Sequence, residues 1–288
     1  MNERSGSNLK AKLILLAGVF SCSMSSAFFR YMTAPSTIAA TYRLGWTVLL
    51  LTPLIFSKRE TRKELLSLKG KDLAFCGLSG LFLAMHFVVW FESLSNTSIA
   101  SSTVLVNTEV AFAAFGYLLF FGKKIRKKEI LAIGIAFLGS VVIAMADTGG
   151  GAGKNAVLGD ILALLAAFFS ACYTLIGTRE RSHMSTMVYT YVLYWGCFLS
   201  LLVFDAVSGV PMTGYEPINW IMSLCLAVFC TLLGHSVFSW SLKFLTPTYV
   251  STVKLAGPVF ASVSAILLFG EIPGLIQVAG VYLYAKNS

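Results

Sequence analysis

The sequence predicts an all-α polytopic membrane protein built from ten transmembrane helices in two inverted five-helix repeats. Three observations predict this fold: long apolar segments, a sequence pattern that occurs twice, and basic residues concentrated in alternate loops. Hydrophobic residues make up 57% of the chain and charged residues only 12%, whereas soluble domains carry roughly a quarter charged residues. The lipid bilayer is therefore the predicted surrounding of most of the chain.

Ten apolar segments can be delimited between polar loops. A helix needs roughly 20 apolar residues to cross the ~30 Å hydrocarbon layer, and these segments are far longer than the roughly 10-residue strands of a membrane β-barrel. The last segment is too short to cross, and two explanations stay open: the chain stops early, or its C-terminus has been trimmed. The predicted spans are residues 11–29, 38–56, 73–91, 99–121, 130–145, 157–176, 187–206, 218–240, 249–269 and 275–285.

The sequence pattern of the first half returns in the second half. The hexapeptide TYRLGW at 41–46 corresponds to TYVLYW at 190–195, and LLFFG at 118–122 corresponds to ILLFG at 266–270. Because each copy holds five spans, an odd number, the second copy must lie upside down relative to the first. The predicted organisation is a first repeat over residues 11–146, an external linker over 147–156 and a second repeat over 157–288.

Basic residues set the predicted orientation. Most of the 22 Lys and Arg residues lie in the N-terminal tail, in the loops after the second and fourth spans, and near the ends of the sixth, eighth and tenth spans. Cytoplasmic loops carry such an excess, so we predict a multi-pass protein of the cell membrane with both termini cytoplasmic. Topology thereby explains the net charge of +9, and no nucleic-acid partner is expected. The oligomeric state is left open.

An inverted repeat favours alternating access. Two antiparallel copies can exchange conformations, so that a site between them, near the bilayer midplane, opens to each side in turn. Gly257 and Pro258 interrupt the ninth span, and proline removes a backbone hydrogen-bond donor. We therefore predict a hinge at these two residues.

Several short motifs support this interpretation. They are Arg43 in the second span, LFFG at 119–122, LGD at 158–160, GPVF at 257–260 and LFGE at 268–271. Together they resemble the drug/metabolite transporter (DMT) superfamily, in its ten-helix EamA-type branch. Val110 and Lys123 depart from the family pattern, which tends to have Pro and Glu there. The resemblance implies secondary transport without ATP, commonly export of metabolites, amino acids or drugs.

Two charged residues lie inside predicted spans. Glu109 lies near the middle of the fourth span, where an acid costs roughly 2.5–3.5 kcal/mol, and Lys254 lies in the ninth span. They either pair with each other or hold the ammonium and the carboxylate of a zwitterionic substrate. Asn107 is placed to orient Glu109 or to contact the substrate. Arg43 is interpreted as structural, binding helix-end carbonyls or extending to the surface.

Histidine and aromatic residues complete the predicted substrate site. His86 and Trp90 share one face of the third span, and His235 is nearly equivalent to His86 in the second repeat. Both histidines, like Glu109, are candidates for proton coupling, with hydrogen-bonded packing as the alternative. Aromatic faces attract cations, although packing or anchoring at the membrane interface is the alternative here too. The aromatic pairs on the second and seventh spans are Tyr42 with Trp46 and Tyr191 with Trp195.

The sequence as a whole predicts a secondary transporter of a small amine-bearing, amino-acid-like metabolite. A transporter of organic cations, such as quaternary ammonium compounds or drugs, and a passive channel are the alternatives. No GxxxxGK[ST] phosphate loop, HExxH or GxSxG motif occurs in the sequence, so no enzyme is expected. The six cysteines show no metal-ligand spacing, and neither a metal nor a cofactor is predicted.

Overall fold

The protein is described here by a computed structural model, which covers residues 2–122, 154–234 and 256–270 and the isolated positions 237, 241 and 253. Within these residues every regular element is a helix, and seven helical spans are long and apolar enough to cross a membrane. The prediction of an all-α polytopic membrane protein is therefore confirmed. The predicted fifth and tenth spans and most of the linker lie outside the described residues, so the count of ten helices stays a prediction.

Six predicted spans overlap the described helices almost completely, and the eighth and ninth are described in part. The helices of the first repeat are α1 (Asn2–Ser23), α2 (Ser25–Arg30), α3 (Ser36–Ser57), α4 (Arg59–Leu66), α5 (Gly70–Asn96), α6 (Ile99–Val106) and α7 (Glu109–Phe121). Those of the second repeat are α8 (Ala156–Glu180), α9 (Thr186–Val207), α10 (Pro217–Cys225), a π-helical segment (Leu226–Gly234) and α11 (Gly257–Phe269).

The second spans of the two repeats, helices α3 and α9, pack against each other in antiparallel orientation. The Thr41 hydroxyl donates to an Asp205 carboxylate oxygen at 2.6 Å, near the start of α3 and the end of α9. The hydroxyls of Thr52 and Tyr191 lie 3.1 Å apart, near the opposite ends of the two helices. Because α3 and α9 are equivalent in the repeat, this packing is the arrangement that inversion requires.

The interface between α5 and α8 joins the two repeats along most of the length of both helices. It is the most extensive helix pair among the described elements, and its register is also antiparallel. Three contacts mark that register: Thr97 Oγ1 to Asp160 Oδ1 at 3.0 Å, His86 Nδ1 to the Ala166 carbonyl at 2.9 Å, and Ser79 Oγ to the Tyr173 carbonyl at 3.1 Å.

Equivalent glycines end α7 and α11. Gly122 has a φ of 62° and Gly270 a φ of 67°, in the left-handed region that commonly terminates helices. Residues with a Cβ atom adopt this conformation at a cost. These glycines close the LLFFG and ILLFG motifs, so the repeated sequence encodes the same helix end in both halves.

Helices α5 and α9 approach each other closely at Gly80. A Cβ atom at this position would lie 2.6 Å from the backbone nitrogen of Cys197 and 2.7 Å from the Leu193 carbonyl oxygen. At Gly77, one turn earlier in α5, a Cβ atom would meet nothing within 4 Å. Small residues allow such close packing of helix backbones in membranes.

Gly80→Ala is expected to destabilise the protein by about 1–3 kcal/mol, the usual cost of inserting atoms into a packed interior. The neighbouring atoms belong to backbone and cannot rotate away. Gly77→Ala is the matched control, because both substitutions gain similar helix propensity. Thermal unfolding in detergent measures the difference, and equal melting temperatures for the two variants would contradict the close approach.

Candidate substrate site

The fourth span is interrupted at its middle by Asn107 and Thr108, between α6 and α7. The Thr108 N–H donates to the Leu105 carbonyl at 3.1 Å and the Ala111 N–H to the Thr108 carbonyl at 2.9 Å, a tighter pattern than in an α-helix. The side-chain amide of Asn107 donates to the Thr103 carbonyl at 2.6 Å. Asn107, a predicted substrate contact, therefore also provides a hydrogen bond to a carbonyl at the end of α6. Irregular backbone at membrane depth is tolerated only inside protein or beside a cavity. The interruption therefore marks the interior of the helix bundle.

The start of α11 in the ninth span is equivalent in the repeat to the start of α7 in the fourth span. α11 begins at Gly257, after Ala256, and Gly257 corresponds in the repeat to Glu109, the first residue of α7. Pro258 lies in the first turn of α11, where a missing N–H costs no intrahelical hydrogen bond. Gly257 and Pro258 are thus the first two residues of the described helix α11. Their role as a hinge stays a prediction.

Glu109 opens α7, with its side chain half-buried against the other repeat. Its carboxylate accepts a hydrogen bond from the Ser170 hydroxyl of α8. Tyr173, on the same helix, is close enough to interact with it electrostatically. A carboxylate at a helix N-terminus is favoured by the helix dipole. Glu109 consequently faces protein across the interface between the repeats.

His86 lies at the same interface, and a backbone carbonyl sets its tautomer. Nδ1 lies 2.9 Å from the Ala166 carbonyl oxygen. Because a carbonyl only accepts, Nδ1 carries the hydrogen, and Nε2 of the neutral ring remains able to accept a proton. The ring stacks on Trp90 with centroids 6.0 Å apart and lies 6.3 Å from the Tyr173 ring. The His86 ring therefore lies beside Trp90 and Tyr173, and we call these three residues together with Glu109 the Glu109 group.

Trp90 contributes an unused hydrogen-bond donor to the Glu109 group. Its side chain is only 9% exposed, and within the described part of the chain its indole N–H has no hydrogen-bond partner. A buried indole N–H usually finds a partner, so this atom is available to a ligand. The two other predicted members of the site, Lys254 and His235, lie outside the described residues.

The two predicted aromatic pairs do not form one cluster. Tyr42 stacks on Trp220 with centroids 4.0 Å apart, and Trp46 meets the edge of Trp220 at 6.4 Å. Tyr191 and Trp195 meet edge to face, also at 6.4 Å. Because α3 and α9 are antiparallel, Tyr42 and Tyr191 lie toward opposite ends of the interface between them. The two aromatic pairs occupy equivalent positions in the two repeats, and the inversion of the repeats places them far from each other.

Arg43 is buried inside the helix bundle. The structure contradicts its extension to the surface, because it is only 3% exposed. Its Nε donates to Thr231 of the π-helical segment at 3.0 Å, and a terminal guanidinium nitrogen donates to Ser25 at 3.3 Å. The guanidinium carbon lies 4.3 Å from the centroid of the Phe87 ring. Arg43, like Glu109, is a charged residue inside a predicted span. The sequence feature that makes Glu109 a candidate therefore applies to Arg43 as well.

The Arg43 guanidinium is a buried positive charge whose described hydrogen-bond partners carry no negative charge. No carboxylate among the described residues lies within 4.0 Å of its guanidinium. Burying a charge is costly unless an opposite charge and hydrogen bonds compensate, and here the described hydrogen-bond partners are neutral hydroxyls. An anionic ligand would supply the missing charge.

Comparison with known proteins finds the same pattern twice along the chain. Residues 9–145 and 157–285 each match the EamA-like transporter family. An uncharacterized transporter of Archaeoglobus fulgidus is 26% identical over 250 residues, 82% of this chain and 84% of the relative. A protein of Salmonella typhimurium named a probable amino-acid metabolite efflux pump is 27% identical over 173 residues, 57% of each chain. The pseudopaline exporter CntI of Pseudomonas aeruginosa is 22% identical over 275 residues, 93% of each.

A solved crystal structure has the same fold. It superimposes with a TM-score of 0.67 over 96% of this chain and 94% of that chain, at 14% sequence identity. This likeness concerns the fold alone, whereas the family matches cover most of both halves of the sequence. The chain therefore belongs to the EamA-like transporter family of the drug/metabolite transporter superfamily, and it is a multi-pass membrane transporter of small molecules rather than an enzyme.

Proposed function

We propose that the protein is a secondary transporter that moves a small, amine-bearing, amino-acid-like metabolite by alternating access. The observation that carries this proposal is Glu109, a carboxylate at the interruption of a membrane span that accepts a hydrogen bond from Ser170 of the other repeat. An acid at this depth is costly and marks a substrate or proton pathway. An ammonium group is its natural complement in a small metabolite. Inverted-repeat transporters bind their substrates at such an interface.

A second charged group favours a zwitterion over a simple cation. Arg43 is buried and donates to the neutral hydroxyls of Thr231 and Ser25, so a substrate carboxylate would complete its interactions through charge-assisted hydrogen bonds. Lys254, in the ninth span, is the other candidate for the carboxylate, or else the ion-pair partner of Glu109. A purely cationic substrate would gain nothing from either basic residue.

The remaining members of the Glu109 group would position the substrate and carry protons. The unused indole N–H of Trp90 is a donor for a polar substrate atom, and Asn107 lies beside Glu109 in the interruption. The hydrogen bond from His86 Nδ1 to the Ala166 carbonyl fixes the ring and leaves Nε2 as the atom that can accept a proton. Glu109 and His86 are thus our proposed proton carriers, with His235 as a third.

The aromatic pairs would flank the site on its two sides. Tyr42 and Trp46 contact Trp220, whereas Tyr191 and Trp195 contact each other at the other side of the interface. In an alternating-access cycle, equivalent residues of inverted repeats exchange roles. We therefore propose that each pair lines the approach to the site from one membrane face.

The named relatives support this substrate class and suggest a direction. One is a probable amino-acid metabolite efflux pump, and another is a pseudopaline exporter. We propose export from the cytoplasm for this protein as well. The orientation of both termini toward the cytoplasm, predicted from the basic loops, is part of the same proposal.

Glu109→Gln is expected to abolish counterflow of labelled amino acids in proteoliposomes, because the amide keeps the shape of the side chain and loses its charge. Glu216→Gln, in an exposed loop before α10, is the matched control and should transport normally. Both variants must elute as folded protein in size-exclusion chromatography. Unchanged counterflow in Glu109→Gln would refute the role of this carboxylate.

Arg43→Gln is expected to weaken inhibition by amino acids roughly 10-fold to 150-fold, the equivalent of about 1.5–3 kcal/mol for a hydrogen bond to a charged group. The corresponding decarboxylated amines, which lack the group that Arg43 would bind, should be affected far less. Arg62→Gln, on the exposed helix α4, is the control. Equal losses for amino acids and amines would contradict a carboxylate at Arg43.

A competition panel separates the leading proposal from an organic-cation transporter. Glu109 and the aromatic rings of the Glu109 group would also suit a quaternary ammonium ion, so this alternative has a structural basis. We expect inhibition of counterflow by amino acids and none by choline. The opposite result would favour the cation transporter, and ion conductance at channel rates in place of counterflow would favour the passive channel.

A further inference from the structure

Three potential metal ligands meet where the two repeats join at the end of the α5 and α8 interface. Asp72 lies in the first turn of α5, Glu180 is the last residue of α8, and His183 follows in the turn before α9. This end also carries the exposed basic helix α4 and is the predicted cytoplasmic face. The cluster lies at the ends of the helices, away from the mid-span Glu109 group.

The distances in this cluster match those between ligands of one metal ion. His183 Nε2 lies 3.3 Å from Asp72 Oδ1 and 3.4 Å from Glu180 Oε2. Ligand atoms about 2.0–2.1 Å from a tetrahedral ion lie roughly 3.3–3.4 Å from one another. All three ligand atoms fall within 4.8 Å of one another, so one ion could contact them with little movement.

Glu180 gives a second observation that points to a cation. Its side chain is only 2% exposed, and Oε2, which lies 3.4 Å from His183 Nε2, has no hydrogen-bond partner among the described residues. The other oxygen, Oε1, lies 3.9 Å from the Arg179 guanidinium, a long and half-exposed ion pair. Leaving a buried carboxylate oxygen unsatisfied costs free energy, and a metal ion bound by both Oε2 and His183 Nε2 would remove that cost.

Hydrogen bonding alone does not satisfy the cluster. His183 Nε2 faces both carboxylates, yet it carries at most one hydrogen. Asp72 Oδ2 already accepts from the Lys69 N–H at 3.1 Å, so Oδ1 is the Asp72 oxygen directed at His183. A proton on Nε2 can serve Asp72 or Glu180 well, whereas an ion serves all three groups at once.

We propose that Asp72, Glu180 and His183 form a binding site for a divalent transition-metal ion of the zinc type. One imidazole and two carboxylates suit Zn²⁺ and similar ions, and a water molecule would complete a four-coordinate site. The site joins helices of different repeats. If the repeats separate at this face during transport, a bound ion slows transport. That consequence rests on the proposed alternating access, whereas the binding does not.

The test is equilibrium binding of Zn²⁺ to the purified full-length protein in detergent. His183→Lys is the main variant, because lysine keeps a cation beside the two carboxylates and is a poor zinc ligand at neutral pH. Asp72→Asn is the second variant, which removes a ligand charge from the other helix. Glu60→Gln, an exposed carboxylate on α4, is the control. The cysteines and other histidines are common to all four proteins, so their binding cancels.

We expect His183→Lys to bind one Zn²⁺ fewer per chain than the wild type, and Asp72→Asn to bind that ion at least about ten-fold more weakly. Glu60→Gln should match the wild type. Equal zinc stoichiometry and affinity in the wild type and His183→Lys would overturn the site, as would a wild type that binds no zinc. Failure of one variant to fold leaves the other as the test.

Discussion

Antiparallel packing between the repeats is the constraint on which the rest of the structure depends. It brings polar side chains of the two halves together inside the helix bundle, where Thr41 donates to Asp205 and Ser170 donates to Glu109. At this depth no bulk water satisfies such groups. Each must find its partner across the interface, so the polar contacts fix the register of the two halves as well as their orientation.

The repeat is also visible in the backbone of α7 and α11. These helices begin at the equivalent residues Glu109 and Gly257, and both end at glycines in the left-handed conformation. The inverted halves are therefore similar in backbone and different in side-chain chemistry at the first residue of these helices. A backbone with inverted symmetry and an asymmetric set of side chains is suited to binding one substrate in both the outward-open and the inward-open conformation.

Helix positions could be predicted from the sequence because the length of an apolar segment is a local property. The interruption at Asn107 and Thr108 could not, since neither glycine nor proline marks it and its carbonyls are satisfied by local side chains. The π-helical segment was missed for a related reason. The Thr231 side-chain hydroxyl donates to the carbonyl of Leu226, five residues earlier. The same hydroxyl oxygen accepts a hydrogen bond from Arg43, a contact that depends on tertiary packing.

The charged residues show where sequence reasoning reached its limit. Glu109 is a candidate because it lies mid-span; its carboxylate contacts Ser170 of the other repeat, and its role in substrate binding stays a prediction. Arg43 lies only seven residues into α3, so an extension to the surface was a reasonable expectation. Its burial depends on Ser25 and Thr231, which are distant in sequence and become its neighbours only after folding. The cluster of Asp72, Glu180 and His183 has no signature in the sequence, because its members come from two repeats and meet only after folding.

The orientation of equivalent helix ends tests the inversion most directly. Ser57 ends α3 and Ser208 follows α9, and both are exposed. In a background with the six native cysteines replaced, Ser208→Cys should react with a membrane-impermeant thiol reagent in intact cells. Ser57→Cys should react only after the membrane is permeabilised. Labelling of both positions from the same side would contradict antiparallel repeats and, with them, the proposed mechanism.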